Sequence, residues 1–463
     1  MKNQDLFKVA AFLVMVVFFT SNTNAQNDRS LYFLPGIPQS RYMNPANFPD
    51  HQLYVSIPVL STVKFGLENT MNYDDLFQQQ GDSIYLDRDY LLDNLKDKNS
   101  INFDATVELF SLGFKVKKNY FAFRMSDAGN FNSTITKETI RFALYGNGSE
   151  EFLGKTIDLS GNAINFSYYR EYAFGYTRNI DEKLNVGMNI KVLQGIANVS
   201  TNDLSFKLLT DSTDFTIKAT SNIDINTSIP DDFEGSIVDL VPGDKNPGFA
   251  FDFGGQYQIN DKWSVSAGML NIGFINWKSN LKNYRTTNPG NEFVFEGFEL
   301  SDFFEDKEFN NELLNDLLDS ISDEIGVTER ALEYRTTLPA WLNLNANFNL
   351  TPKDQFGALL RNRFLKDQNW TTFTLAYSHS FNNRASILVS NTFTKGSYFT
   401  PGLGLTANLG PVQLFLISEN VTAPLFVNTA RFYSVHFGIN IVIRPKNNQV
   451  VEPEAIEPEL KQD

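Results

Sequence analysis

The chain has no cysteine among its 463 residues. That excludes a disulfide framework, a thiolate nucleophile and every Cys-ligated metal or iron–sulfur site. Histidine is almost as scarce. His51, His379 and His436 stand far apart and lack metal-ligand spacing. Basic charge is short as well, since the net charge is −15. Nucleic acid, which demands a basic stripe, is therefore not an expected partner. No Gly-rich loop leads into a helix, so phosphate binding has no support. With no nucleophile constellation either, the chain reads as a non-enzyme without cofactor or metal.

Long hydrophobic runs are confined to the N-terminus. Lys2 and Lys8 flank the start of the apolar stretch 10–19, and "TNA" at 23–25 supplies small residues before Gln26. A run of roughly ten apolar residues is too short to span a bilayer. Residues 1–25 therefore read as an export signal peptide.

Aromatics are abundant, with 42 Phe and 18 Tyr, and so is alternation. "WLNLNANFNL" (341–350) sets Leu342, Leu344, Ala346, Phe348 and Leu350 against Asn343, Asn345, Asn347 and Asn349. A strand sends alternate side chains to opposite faces. The same division recurs at 186–192, 263–269, 373–378 and 435–443. Polar turns at 117–119, 179–183, 260–262, 351–354, 382–383 and 410–411 join such strands in pairs. The connections at 70–100, 127–161, 198–247 and 278–333 are long and acidic. Tight turns at one end and long loops at the other mark an outer-membrane barrel. The strands number about fourteen, an even count that puts both termini on the periplasmic side. Segment 203–220 alternates in part and reads as either an external hairpin strand or a further stave. The polar face carries Asn, Ser, Thr and Gly rather than Lys and Glu, so the apolar face points outward. The expected fold is all-β: a transmembrane antiparallel β-barrel of about 14 strands at 51–444, with helical external loops. Tyr172, Phe174, Tyr176, Tyr257 and Phe348 are expected in its periplasmic aromatic girdle.

Residues 26–50 hold four prolines and are too apolar for a solvated tail. They read as an N-terminal plug, with Asn44, Pro45 and Ala46 as its motif. Alternation places Glu171, Lys191, Arg361 and Arg363 on the lumen face, in a structural or gating network that holds the plug. Segment 303–325 spaces Phe309, Leu313, Leu317 and Ile321 as on an amphipathic helix. With 82–95 it is expected to form a lid. Residues 445–463 read as a flexible periplasmic tail.

"MNPANF" (43–48) ahead of such a barrel is similar to the hatch motif of fatty-acid-transporter-like barrels and of the barrel subunit of type IX secretion. "FALYGNGSEEFLGKTIDLSGNAINFSYYREYAFGYTR" (142–178) resembles an uncharacterised Bacteroidota outer-membrane family, catalogued as a domain of unknown function. The resemblance implies a barrel in the Gram-negative outer membrane and transfers no functional residues. The expected role is passive transport or handling of a small hydrophobic molecule through a plugged lumen, amid outer-membrane lipids. The alternative is a non-transporting scaffold in a secretion, attachment or motility assembly. It would bind protein partners through its external loops or tail.

Overall fold

A computed structural model describes residues 29–34, 36–81, 83–230, 245–290, 292–295, 304–305, 308–309, 326–364, 369–381, 384–394 and 399–445. The signal peptide expected at 1–25 and nearly all of the tail expected at 445–463 lie outside these residues, as do Leu313, Leu317 and Ile321 of the expected lid.

Fourteen antiparallel staves close into a barrel. The first, β1, comes in two pieces, Leu53–Ser56 and Val63–Asn69. Then follow β2 (Lys98–Val116), β3 (Asn119–Thr136), β4 (Ala163–Asn179), β5 (Leu184–Thr210), β6 (Pro247–Gln258) and β7 (Trp263–Trp277). Stave β8 joins Tyr334–Thr337 to Ala340–Asn349. The remainder are β9 (Asp354–Phe364), β10 (Asn369–Phe381), β11 (Ala385–Phe393), β12 (Pro401–Leu409), β13 (Val412–Ser418) and β14 (Phe432–Ile443). Closure is direct, because β1 pairs with β14 on one side and β2 on the other. Such closure leaves no open edge in the wall.

The faces divide as alternation requires. Leu344 is 42% exposed on the outer wall, while its neighbour Asn343 is fully buried inside. Phe373, Leu375, Val389, Leu405, Leu416 and Phe437 are likewise exposed, and Thr374, Ser390, Thr406, Gln413 and His436 are buried. The apolar face points outward. Leu344→Arg is therefore expected to cost roughly 2–4 kcal/mol of barrel stability near mid-bilayer. Asn345→Ser, on the inner face, should fold into vesicles like the parent. Equal folding yields for Leu344→Arg and the parent in a gel-mobility assay would refute this assignment.

The structure departs from the sequence reading at several points. Stave β1 is interrupted at 57–62, where Pro58 lacks a ladder donor and Val59 takes a left-handed φ of 65°. Stave β3 extends to Thr136 and a helix, Lys137–Tyr145, follows, where a long connection was expected from 127. Staves β3 and β5 run to 18 and 27 residues, and polar residues in their upper halves mask the alternation. The ambiguous 203–220 resolves as the upper half of β5 and an external strand, Ile217–Ser228, paired to it. Strands Leu281–Thr286, Glu292–Phe295 and Val327–Arg330 continue this projecting sheet. Within 82–95 the helix is short, Arg88–Asn94, and Ser83–Tyr85 is extended. Phe309 sits in a two-residue strand paired to Phe304–Glu305, not on a helix. Tyr172 is buried, while Phe174 and Tyr257 are exposed on the wall.

Candidate functional site

Residues 29–34 and 36–49 lie inside the barrel. Two short 3-10 turns, Ser30–Phe33 and Pro38–Tyr42, shape this inner segment, and Pro38 suits the first position of its turn. The segment is hydrogen-bonded to the wall along its length. The Ser30 amide and hydroxyl donate to Glu419 at 2.7 and 3.0 Å. Gln39 Nε2 donates to Asn440 Oδ1 at 2.8 Å, and Gln413 Nε2 donates to the Gly36 carbonyl at 2.9 Å. Asn343, first of the buried lumen asparagines, donates to the Met43 carbonyl at 2.8 Å.

Asn44, Pro45 and Ala46 form the tightest seat. Asn44 Oδ1 accepts from the Ala46 amide at 2.9 Å, and its Nδ2 donates to the Tyr32 hydroxyl at 2.9 Å. Thr177 Oγ1 donates to the Pro45 carbonyl at 2.6 Å. The wall here is glycine. A Cβ on Gly187 would stand 2.1 Å from the Pro45 carbonyl oxygen, and one on Gly254 would stand 1.9 Å from Asn44 Oδ1. The absent side chains are what admit the motif.

Apolar side chains fill the rest. Leu31, Phe33, Leu34, Ile37 and Met43 pack on Leu359, Ala376, Leu388, Phe415 and Ile417 of staves β9–β13. One side of the lumen is therefore greasy beneath the inner segment, although the inner face as a whole is polar.

Two charge clusters line the lumen, one along the adjacent staves β3–β6 and one that crosses from β9 to β2. Near the short-turn end, Glu171 pairs with Arg124 and lies 3.3 Å from Lys191, which lies 2.9 Å from Asp252. Arg124 also covers the Tyr42 ring at 4.1 Å, and the Tyr42 hydroxyl donates to Glu108. Towards the loop end, Arg363 grips Asp104 of β2 through two bonds of 2.9 and 2.6 Å. Arg361 stacks on Trp341 at 3.7 Å. Paired burial of this kind is what makes ions tolerable in a dry interior.

All four lumen charges expected from alternation thus face inward, but in two separate clusters: Glu171 with Lys191, and Arg361 with Arg363. Sequence reasoning missed their partners Asp104, Glu108, Arg124 and Asp252, and the segment's own Arg29 and Arg41. Alternation alone would have placed Asp104 and Arg124 inside. Counted from the loop end of β2 it places Glu108 inside as well; counted from the turn end it fails for both acids, because β2 bulges between Glu108 and Phe110 and shifts the register. At the short-turn mouth, Asp50 lies 3.7 Å from His51 and from Arg444. His51, and then Arg444, hold its carboxyl below the usual carboxylate range.

A cavity of about 30 Å³ remains beside Arg41, Tyr42, Tyr54, Ser111 and Arg124. That is room for one or two waters. With the inner segment seated, this part of the lumen holds no cargo-sized space.

Comparison with known proteins turns on the barrel. Residues 45–419 match the family of unknown function DUF5723. The chain belongs to this family. No curated protein matches it. Among solved structures, this DUF5723 barrel is similar to the Ralstonia pickettii toluene transporter TbuX, with 8% identity over 88% of this chain and 93% of that one, and a TM-score of 0.41. A Pseudomonas aeruginosa FadL homologue matches at 10% identity, over 89% and 95%, with a TM-score of 0.41. The Pseudomonas putida toluene transporter TodX matches at 10%, over 91% and 94%, with a TM-score of 0.38. Likeness this distant transfers no cargo and no residue roles.

Proposed function

We propose that this protein resides in the Gram-negative outer membrane and passes or handles a small hydrophobic molecule, with residues 26–50 as a displaceable plug. The observation that carries the reading is the apolar patch of Leu359, Leu388, Phe415 and Ile417 on the lumen wall, covered by Leu31, Phe33 and Leu34. Withdrawal of the plug uncovers a greasy track within a polar tube, and a hydrophobic molecule can replace the leucines there. The seated plug is also too well fitted for free passage, so transport requires its movement. Glu171, Lys191, Arg361 and Arg363 act as wall fixtures that set the plug's seat. The break in β1 at 57–62, with Pro58, Val59 and Leu60 exposed to the outside and Ser61 buried, marks where a lateral route would cross the wall.

The lack of native cysteine makes a clean test available. Ser30 and Ser390 hydroxyls lie 3.0 Å apart, close enough for the Ser30→Cys/Ser390→Cys pair to bridge. Oxidation should abolish uptake of a hydrophobic dye into vesicles, and a reductant should restore it. Uptake indifferent to the lock would overturn the plug reading.

The projecting sheet built on Ile217–Ser228 favours the second reading, a scaffold for protein partners. Stable co-purifying proteins, lost when residues 211–246 are replaced by a short turn, would support it.

A further inference from the structure

The loop between β13 and β14 differs from the other long loops. Residues 420–430 carry no charge, whereas the loop at 82–97 holds five aspartates. At its tip, Leu425, Phe426 and Val427 are 77%, 60% and 52% exposed. Contiguous exposed side chains of this size call for a covering surface.

The tip is held firmly. Asn420 Nδ2 donates to the Phe432 carbonyl at 2.8 Å, and the Leu425 and Phe426 amides donate to the Thr422 carbonyl at 2.9 Å. Across the loop, the Asp74 amide donates to the Asn428 carbonyl at 3.1 Å, and Arg431 pairs with Asp75 at 2.7 Å. The direction in which the tip leans is also set. The Tyr433 hydroxyl donates to the Val427 carbonyl at 2.9 Å. Tyr433 belongs to the outward row of β14, with Val435, Phe437, Ile439, Ile441 and Ile443. That row spans about 25 Å along the barrel axis at the usual rise and tilt, the height of an apolar lipid band. Tyr433 therefore stands at its outer rim, and the tip hangs on the lipid side of the wall rather than over the mouth. Phe399, 74% exposed just before β12, stands in the same sector. It faces outward by alternation from the buried Thr400.

We infer that Leu425, Phe426 and Val427 insert into the outer leaflet and bind its acyl chains, anchoring the β12–β14 side of the barrel. The occupant is lipid because the tip hangs beside the outward apolar row of β14, because residues 420–430 carry no charge, and because the nearby cation, Arg431, is neutralised by Asp75 at the loop base. The inference rests on the membrane location proposed above and not on the cargo.

The test uses the full mature chain, reconstituted in phosphatidylcholine vesicles whose acyl chains are brominated near the headgroup. Phe426→Trp and Val427→Trp each add a reporter, read as the difference from the parent. Trp263, exposed on the lipid-facing wall, is the internal control, read by difference from Trp263→Phe. The expected result is blue-shifted reporter emission that brominated lipid quenches and aqueous acrylamide does not. Quenching by acrylamide alone would overturn the inference, as a tip facing solvent. Protection from both quenchers would overturn it too, in favour of a second copy or a protein partner on the patch. If Trp263 itself escapes brominated lipid, the membrane location fails. If Trp263 is quenched and the reporters are not, the anchor alone fails.

Discussion

Gly187→Ala is expected to unseat the Asn44–Pro45–Ala46 turn. The new Cβ would stand 2.1 Å from the Pro45 carbonyl oxygen, a backbone atom that cannot swing aside. The Thr177 bond to that carbonyl and the Arg41 bond to Thr177, at 2.6 and 2.8 Å, are strained with it. Overpacking of this kind destabilises by about 1–3 kcal/mol. The same energy, applied to the seated against the displaced plug, shifts their ratio roughly 5- to 150-fold. Residues 29–50 should then become cleavable by protease, and hydrophobic-dye uptake should rise, with the barrel still folded. Gly410→Ala is the control, since Gly410 is a turn glycine with nothing near its missing side chain. Its left-handed φ of 66° makes any effect one of turn strain and not of plug release. An inner segment as protected in Gly187→Ala as in the parent would refute the role of this seat.

Glu171→Ala is expected to have the largest effect on the barrel itself. It removes the carboxylate that faces both Arg124 and Lys191 and leaves two buried cations short of a partner. Breaking a buried pair from one side typically destabilises by about 3–5 kcal/mol. The heat-induced mobility shift should move to clearly lower temperature. Lys278 and Glu333, 3.6 Å apart and both largely exposed, supply the contrast. Glu333→Ala should change stability by less than about 1 kcal/mol. Loss in Glu171→Ala no greater than in Glu333→Ala would show that the cluster is dispensable.

Much of this architecture was legible in the chain because its signals are local. Most of the staves announce themselves through period-two alternation bounded by turn residues, whereas the broken β1 and the long β3 and β5 do so only in part. The turn at 179–184 shows the chemistry plainly: Asp181 accepts the Lys183 and Leu184 amides at 2.8 Å. The apolar content of the segment before the first stave marked it as something that had to be covered. The expected periplasmic girdle was less legible, because Tyr172 has the composition of a rim residue and the burial of a core one. Arg363 carries no mark in the sequence of its partner, Asp104, some 259 positions away.

The sequence by itself determined a barrel of alternating staves, its apolar exterior, its asparagine-lined interior and an apolar segment before the first stave. Those properties depend on the residue pair and the turn, which act over a few positions. Tertiary structure decided which groups meet inside. Closure brought β2 against the reach of β9, and put Gly187 and Gly254 under Asn44 and Pro45. It also turned Leu359, Leu388, Phe415 and Ile417 into one patch. Those contacts depend on how far the staves stagger when the sheet closes, and stagger is a property of the whole ring. No single stretch records it.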